Sequence, residues 1–544
     1  MLRRFFSDFE FGTRSKLIGS LTPGAFLVPV ATFVLVLFVW SLTPSWRVQL
    51  LVLASFLATV LVLASLSYVA PDKLWQVMTI PVLGFFAATL GVRYYLFMTY
   101  RMEPRSLLVI QAVSNTSLSE TASYLRQNAV PITEAAALAL AAFVAMWLIV
   151  RRACAFIIRA PASPRRRWVF LFTGIAVVAH ANPAFRRENP PFFWLRASAD
   201  YSRWMEEVAR IGIMRTVALG EVSKWAPRLR HEAPSTIIVV IGESQNRNNL
   251  SLYGYARATT PGLDAVRDQM CVLRNAYSYS AATTAAFIDM LTTGDGQKPG
   301  EWWRNPTLPM LAKAAGYQMF WISNQNDRFI EATFGKDFDD FRQINLGGSR
   351  EDISLDGDVL PHVEAALDHS ARKKLVVVHL IGQHPHYDLR YPAHFARFGA
   401  GDDKAEAVMP AGGALPWVRT ARNHYDNSIR YTDSVLSSIL RRLTQRGGER
   451  ASFLYLSDHA NDVGHEGTAI GHAPTRKAGY EIPLIYAGPR TAECRTNENA
   501  EYQTNRLLWT LLDLLEIDVS VGAGTRSSIL SDRFEVQPIQ KHWK

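Results

Sequence analysis

Three cysteines in 544 residues are few, and they allow at most one disulfide; only 19% of the residues are charged. With a mean hydropathy of +0.01, so little charge excludes a single soluble domain of this size and puts part of the chain in a bilayer. Internal repeats and long low-complexity tracts are absent too; only residues 399–416 form a Gly/Ala/Pro-rich loop. Cys154 falls at the cytoplasmic end of an apolar run, so only Cys271 and Cys494 could pair, and no motif brings them together. For those two, the reading favours buried free thiols over a bridge.

The apolar residues are concentrated in the first third of the chain. Five runs are candidate spans: Gly24–Leu42, Val48–Ala70, Leu74–Val92, Thr133–Val150 and the shorter Trp168–Ala181. The first is too long for a cleaved signal peptide, lacks a small-residue cleavage site and is followed at once by another span. Basic residues set the orientation: Arg3, Arg4, Arg14 and Lys16 precede the first run, while Arg151, Arg152, Arg159 and Arg165–Arg167 separate the fourth from the fifth. Both segments are expected in the cytoplasm, and an odd number of spans then exports everything after about residue 182. The division expected is a five-helix transmembrane domain over 1–182, a juxtamembrane bridge over 183–232 and an exported α/β domain over 233–544. The net charge of +10 lies largely in the topology-setting loops, so nucleic acid is not the expected partner. Arg186, Arg187, Arg196, Arg203 and Arg210, interleaved with Trp194, Tyr201 and Trp204, suit a helix lying on anionic headgroups.

In the exported part, apolar β-branched runs alternate with helical patterns. Strands are expected at Ile237–Ile241, Gln318–Ile322, Leu375–Leu380, Phe453–Leu456 and Ile482–Tyr486. Helices are expected at Pro306–Ala315, Val359–Leu367 and Asn423–Leu443, which implies a mainly parallel sheet covered on both faces. Three strands end in functional groups: Gly242-Glu243, Gly382-Gln383-His384 and Ser457-Asp458-His459. In open α/β sheets ligands bind at the carboxyl ends of strands. Two carboxylates and an imidazole converging there suit Zn2+ or Mn2+, because without a cation Glu243 and Asp458 repel each other. Ser280-Ala-Ala-Thr-Thr284, opening the helical pattern Ala285–Thr292, offers hydroxyl nucleophiles where free backbone N–H groups would meet a phosphate. Taken alone, Thr283 reads as an ordinary helix N-cap more readily than as a nucleophile.

Five spans followed by Gly242-Glu243-Ser244, Ser251-Leu-Tyr-Gly-Tyr255, Arg257-Ala-Thr-Thr-Pro261, Asp356-Gly-Asp-Val359, Tyr425-Asp-Asn427 and Ser457-Asp458-His459 resemble the membrane phosphoethanolamine transferases of Gram-negative bacteria. These belong to the alkaline phosphatase and sulfatase superfamily, and the chain most resembles their branch that modifies lipopolysaccharide core sugar. The resemblance implies a zinc-dependent transferase of the bacterial inner membrane with a periplasmic catalytic domain. It implies that Glu243, Thr283, Asp458 and His459 surround one catalytic zinc, with or without a second ion, and that Thr283 is the nucleophile. It places His384 and His472 on the donor phosphate, and Gln325 and Arg328 among the donor contacts. The implied donor is phosphatidylethanolamine, and the implied acceptor is lipopolysaccharide core sugar, lipid A or another envelope glycan.

Where the family commonly reads Asp-His-Gly-Glu, this chain reads Asp458-His459-Ala460-Asn461, and His465 is a candidate to compensate for the lost carboxylate. Ser244-Gln245 is assigned no role. Other readings stay open: a sulfatase-like hydrolase, a phosphoglycerol transferase of the same superfamily, and a non-catalytic membrane sensor or scaffold.

Overall fold

The computed structural model describes residues 46–100, 128–159, 164–294, 304–325, 328–345, 354–399, 416–465, 470–521 and 527–543, with a few isolated positions besides. Two compact units change over near Met205.

The first unit is helical. Helices α1 (Trp46–Val69), α2 (Asp72–Tyr100), α3 (Ala129–Arg159) and α4 (Pro164–Ala179) follow the apolar runs. The α1 sequence holds neither Gly nor Pro, so nothing interrupts its hydrogen-bond ladder before Pro71. Three stretches are long and apolar enough to cross a bilayer: Arg47–Ser67, Asp72–Thr99 and Ala129–Ala155. The 16 residues of α4 rise only about 24 Å, short of a hydrocarbon core of roughly 30 Å. The expected span Gly24–Leu42 lies almost wholly outside the described residues, so three of the five expected spans are seen at full length. The interior of this unit packs Leu83, Phe86 and Leu90 of α2 with Met146, Trp147 and Val150 of α3. Within it Arg93 pairs with Glu188 at 2.7 Å, both nearly fully buried; a charge in an apolar setting needs such a partner.

The second unit is built on a seven-stranded mixed sheet. Its strands are β1 (Ser235–Gly242), β2 (Cys271–Val272), β3 (Gln318–Ser323), β4 (Asp340–Gln343), β5 (Lys373–His379), β6 (Ala451–Ser457) and β7 (Leu484–Ala487), in the spatial order β2-β7-β6-β1-β5-β3-β4. The five strands from β6 to β4 run parallel, and β7 is antiparallel to both β6 and β2. Every residue of β1 is buried, as its unbroken Ile/Val run requires of a strand covered on both faces. One cover is the helix Pro416–Arg446, whose Tyr425, Ile429, Leu436, Ile439 and Leu443 recur at steps of three, four and seven residues, which keep to one helix face, and enter the core. Register fixes what meets at the carboxyl edge: Ile241 stands beside His379 and Gly242 beside Ser457.

One expectation is overturned here. Cys271 and Cys494 form a disulfide, with Cα atoms 5.9 Å apart. Cys271 lies on the two-residue edge strand β2, too short to leave a periodic signature. The chain leaves the neighbouring strand β7 into the helix Thr491–Thr496, which returns Cys494 to it. The remaining cysteine, Cys154, is buried and takes no part in this disulfide.

Candidate metal centre

Gly242 ends the central strand because a side chain there would collide with Tyr455: a Cβ would lie 2.6 Å from its hydroxyl. With no Cβ in the way, that hydroxyl donates to Gln245 Oε1 at 2.7 Å. The next residue but one, Ser244, has φ +60°, a left-handed conformation uncommon outside glycine and characteristic of functional turns. The turn lets Ser244 Oγ donate to Glu243 Oε1 at 2.7 Å. Ser244, assigned no role from sequence, thus orients the carboxylate directly; only a backbone angle invisible in the sequence reveals it.

Strand β6 delivers Asp458 and His459 beside it. Asp458 Oδ1 accepts the backbone N–H of Ser244 at 3.1 Å and of His459 at 2.7 Å, whereas its fully buried Oδ2 has no hydrogen-bond partner among the described residues. An orphaned buried carboxylate oxygen is costly and marks a place for a cation. His459 Nε2 lies 3.3 Å from Glu243 Oε1 and 3.7 Å from Asp458 Oδ2.

Thr283 completes the group. It is the first residue of the helix Thr283–Leu291, and the N-cap position belongs to Ala282. The Thr283 hydroxyl is therefore not spent on capping. It donates to Glu243 Oε2 at 3.0 Å and lies 3.5 Å from His459 Nε2. The segment before it is pinned by Ser278 Oγ, which donates to the Asp458 carbonyl at 2.6 Å.

One ligand atom each of Glu243, Asp458 and His459 lies within 4.8 Å of the others. Ligand atoms around a tetrahedral ion with bonds of about 2.0–2.1 Å stand roughly 3.3 Å apart, and the separations of Thr283 from Glu243 Oε2 and of His459 from Thr283, Glu243 Oε1 and Asp458 Oδ2, 3.0–3.7 Å, lie around that spacing. Two carboxylates, one imidazole and one hydroxyl are donor types that a zinc-like ion takes, and Glu243, Asp458 and His459 are close enough to share one. The protein's own electrostatics carry the same message. Burial pushes Asp458 up to about 7, and the Glu243 charge adds to that push. Burial also opposes ionisation of Glu243, but the hydrogen bond and charge of His459 outweigh it and hold Glu243 well below the usual carboxylate range. Burial alone would lower His459, yet Asp458 and Glu243 raise it to about 9. A dication here would replace the imidazolium as counter-charge and leave both carboxylates ionised.

The remaining sequence-derived residues divide. His472 lies against the group, its ring centroid 4.6 Å from that of His459; burial and the His459 charge lower it to about 4, so it is neutral. Its Nδ1 is 3.1 Å from the Ala281 carbonyl, which assigns the proton to Nδ1 and leaves a lone pair on Nε2. His384 follows β5 near enough to help hold Glu243 ionised. Gln325 reaches further in than its motif suggested, donating Nε2 to Glu243 Oε2 at 3.0 Å and to the Leu380 carbonyl at 2.8 Å. Arg328 opens the helix Arg328–Phe334, and its side chain lies outside the described residues. His465 is held by Asn249 Oδ1 at 2.7 Å and by Asp462, and it is not among the three residues whose ligand atoms group together. Asn461 donates its amide to Tyr387 Oη at 3.1 Å, and its buried Oδ1 has no hydrogen-bond partner among the described residues.

The sequence and the fold have known relatives. A family model described as Sulfatase matches residues 235–517. The phosphoethanolamine transferase EptC of Escherichia coli K12 is 31% identical over 237 residues, 42% of this chain and 40% of that protein. The phosphoethanolamine transferase CptA of Salmonella typhimurium is 34% identical over 318 residues, 54% of this chain and 53% of that protein. The chain thus spans about half the length, or less, of the curated relatives it matches. Among solved structures, the periplasmic domain of Escherichia coli EptC in complex with zinc superposes with a TM-score of 0.52 at 27% identity, covering 57% of this chain and 90% of that one. The integral membrane lipooligosaccharide phosphoethanolamine transferase A (EptA) of Neisseria meningitidis, at 19% identity, shares the fold over 83% of this chain and 86% of its own, with a TM-score of 0.55. Because the matched model covers more than half of its residues, the chain belongs to the sulfatase family, and its similar proteins include phosphoethanolamine transferases.

Proposed function

We propose that this protein is a zinc-dependent phosphoethanolamine transferase that moves the group from phosphatidylethanolamine through Thr283 to a cell-envelope acceptor, lipopolysaccharide core sugar or lipid A. The observation that carries the reading is the Thr283 hydroxyl, free of capping duty and 3.0 Å from Glu243, beside the unpartnered Asp458 Oδ2. Zinc held by Glu243, Thr283, Asp458 and His459 would supply the Lewis acidity that makes a threonine hydroxyl ionise near neutral pH.

The chain's residues do the rest. Glu243 Oε2 accepts the Thr283 hydroxyl hydrogen bond and orients its oxygen lone pairs. Thr283 Oγ1 attacks the donor phosphorus, and the bond from phosphorus to the diacylglycerol oxygen breaks, leaving phosphoethanolamine on the threonine. The acceptor's oxygen then attacks the same phosphorus and frees Thr283. His384 receives the non-bridging phosphate oxygens, together with the free N–H groups at the start of the Thr283–Leu291 helix, and His472 joins them once its Nε2 carries a proton. A lipid donor suits a chain with three helices able to span a bilayer. The Cys271–Cys494 disulfide suits the periplasmic side, since such bonds persist in oxidising compartments.

The test is intact-mass measurement of the full-length protein after incubation with phosphatidylethanolamine, without acceptor, beside Thr283→Ala. The expected result is a phosphoethanolamine adduct that maps to Thr283 and is absent from the variant. Zinc-loaded protein that gains no adduct sinks the donor assignment, and an adduct gained from phosphatidylglycerol instead identifies a phosphoglycerol transferase.

A further inference from the structure

The turn Asp356–Val359 carries a carboxylate that the proposed reaction does not use. Asp356 is 2% exposed and faces inward. Its Oδ1 accepts Asn324 Nδ2 at 3.0 Å and the Ile381 N–H at 2.9 Å, and its Oδ2 accepts the Gly382 N–H at 2.9 Å. One side chain therefore fastens two separate loops, the one leaving β3 at Asn324 and the one leaving β5 at Ile381-Gly382.

Both loops end on Glu243. On one side, Gln325, the neighbour of Asn324, donates to Glu243 Oε2 at 3.0 Å. On the other, Gln383 donates its backbone N–H to the Glu243 carbonyl at 2.9 Å. Gly382 is the pivot of that second loop. Its φ is +44°, and a Cβ there would stand 2.9 Å from both the backbone nitrogen and oxygen of Glu243, so the loop presses directly on the metal-ligand candidate. The Asn324 backbone is tied in as well, donating to the His379 carbonyl at 2.8 Å at the end of β5. His384, assigned to the donor phosphate, rides on the same loop as Gly382.

We infer that Asp356 is a positioning residue: by clamping the 323–325 and 380–384 loops together, it fixes the carboxylate of Glu243 for metal binding and sets Gln325 and His384 around the phosphate. The inference rests on the metal reading given above. Groups that orient a metal ligand typically change metal affinity or activity by about 10–100-fold when removed.

The experiment is zinc affinity, measured by chelator competition on the full-length protein in detergent, with a thermal melt of each variant. Asp356→Asn keeps one acceptor oxygen but turns an NH2 group towards the Gly382 N–H, opening that side of the clamp. The expected result is a folded protein with zinc affinity reduced about tenfold or more. Asn324→Ala removes the link from Asp356 to the Gln325 loop, along with the side-chain hydrogen bonds between Asn324 and Ser354. Its loss is expected to disappear when it is made on top of Gln325→Ala, because both changes act through the same hydrogen bond to Glu243. A folded Asp356→Asn protein with wild-type zinc affinity overturns the inference. So do Asn324→Ala and Gln325→Ala losses that simply add, which is the behaviour of general loosening; if Asp356→Asn does not fold, this pair decides alone. Wild-type protein that binds no zinc at all removes the metal reading and the clamp's role with it, and the wild-type titration separates that outcome from failure of the clamp alone.

Discussion

At the scale of the residue, Asp458 separates scaffold from metal chemistry most cleanly, because its two oxygens do different work. Oδ1 holds two backbone N–H groups, and Oδ2 holds none. Asp458→Asn preserves an acceptor for the Ser244 and His459 amides and removes the charge aimed at the cation. We expect a folded protein whose zinc affinity falls by at least about 100-fold, read by metal analysis beside a thermal melt. Zinc retained at full stoichiometry would show that the ion is held elsewhere. Glu243, Asp458 and His459 could be singled out in the sequence because each stands where an apolar strand run stops, whereas Thr283 was singled out through the family resemblance, by its spacing before Met290-Leu291. Ser244 and the inward reach of Gln325 were not legible there. The first depends on a left-handed φ at a non-glycine, and the second on a loop held from another part of the chain by Asp356. Neither leaves a pattern in residue type or spacing.

At the scale of the element, the ribbon of Asn461–Val463 and Ile470–His472 carries His472 to the site, with His472 opposite Asn461. Its anchor is Asp462, which accepts the His465 N–H at 2.8 Å and Arg476 Nη1 at 2.7 Å. Burial would raise the Asp462 carboxyl, but His465 and Arg476 outweigh it and bring it down to about 2. A folded-state value below the unfolded one, near 3.8, stabilises the fold at pH above about 4, and that contribution is lost as pH falls towards 2. Asp462→Asn should therefore cost about 2 kcal/mol at pH 7 and flatten the acid limb of thermal stability between roughly pH 4 and 2. An unchanged acid limb would mean that the carboxylate is not what ties the ribbon down. On the far side of the sheet, Cys494→Ser removes the bond between β2 and the helix Thr491–Thr496 across 223 residues, and should lower stability by about 2–4 kcal/mol. If reductant and the substitution both leave the melt unmoved, the bridge is not formed in the protein as purified. Five of the seven strands were readable from their apolar runs to within a few residues. The edge strands β2 and β4 were not, since two residues carry no period and Asp-Phe-Arg-Gln is no apolar run, and the disulfide that hangs on β2 was hidden with it.

At the scale of the whole molecule, the open question is which side of the membrane each part occupies, and charge decides it. Arg151, Arg152 and Arg159 lie in the last turns of α3, and Arg165–Arg167 open α4, so six arginines flank one short connection. Segments this basic stay in the cytoplasm, because moving them across against the membrane potential is unfavourable. The second unit follows α4 and carries a disulfide, a bond that persists in oxidising compartments. The topology we propose from the two facts together crosses the membrane an odd number of times between the arginine cluster and Cys271. Within α4, Phe170–Ala179 is the shorter apolar helix described there, and it is too short for a straight span. A reporter enzyme active only in the periplasm should therefore be inactive when fused near residue 162 and active when fused at the C-terminus. Replacing Arg165–Arg167 with neutral residues should blur that contrast, because it weakens the charge bias that holds the connection inside. Equal activity at both fusion points would place the arginine cluster and the catalytic unit on the same side. The donor lipid would then have to be reached from the cytoplasmic leaflet, and the disulfide could not form in the cell.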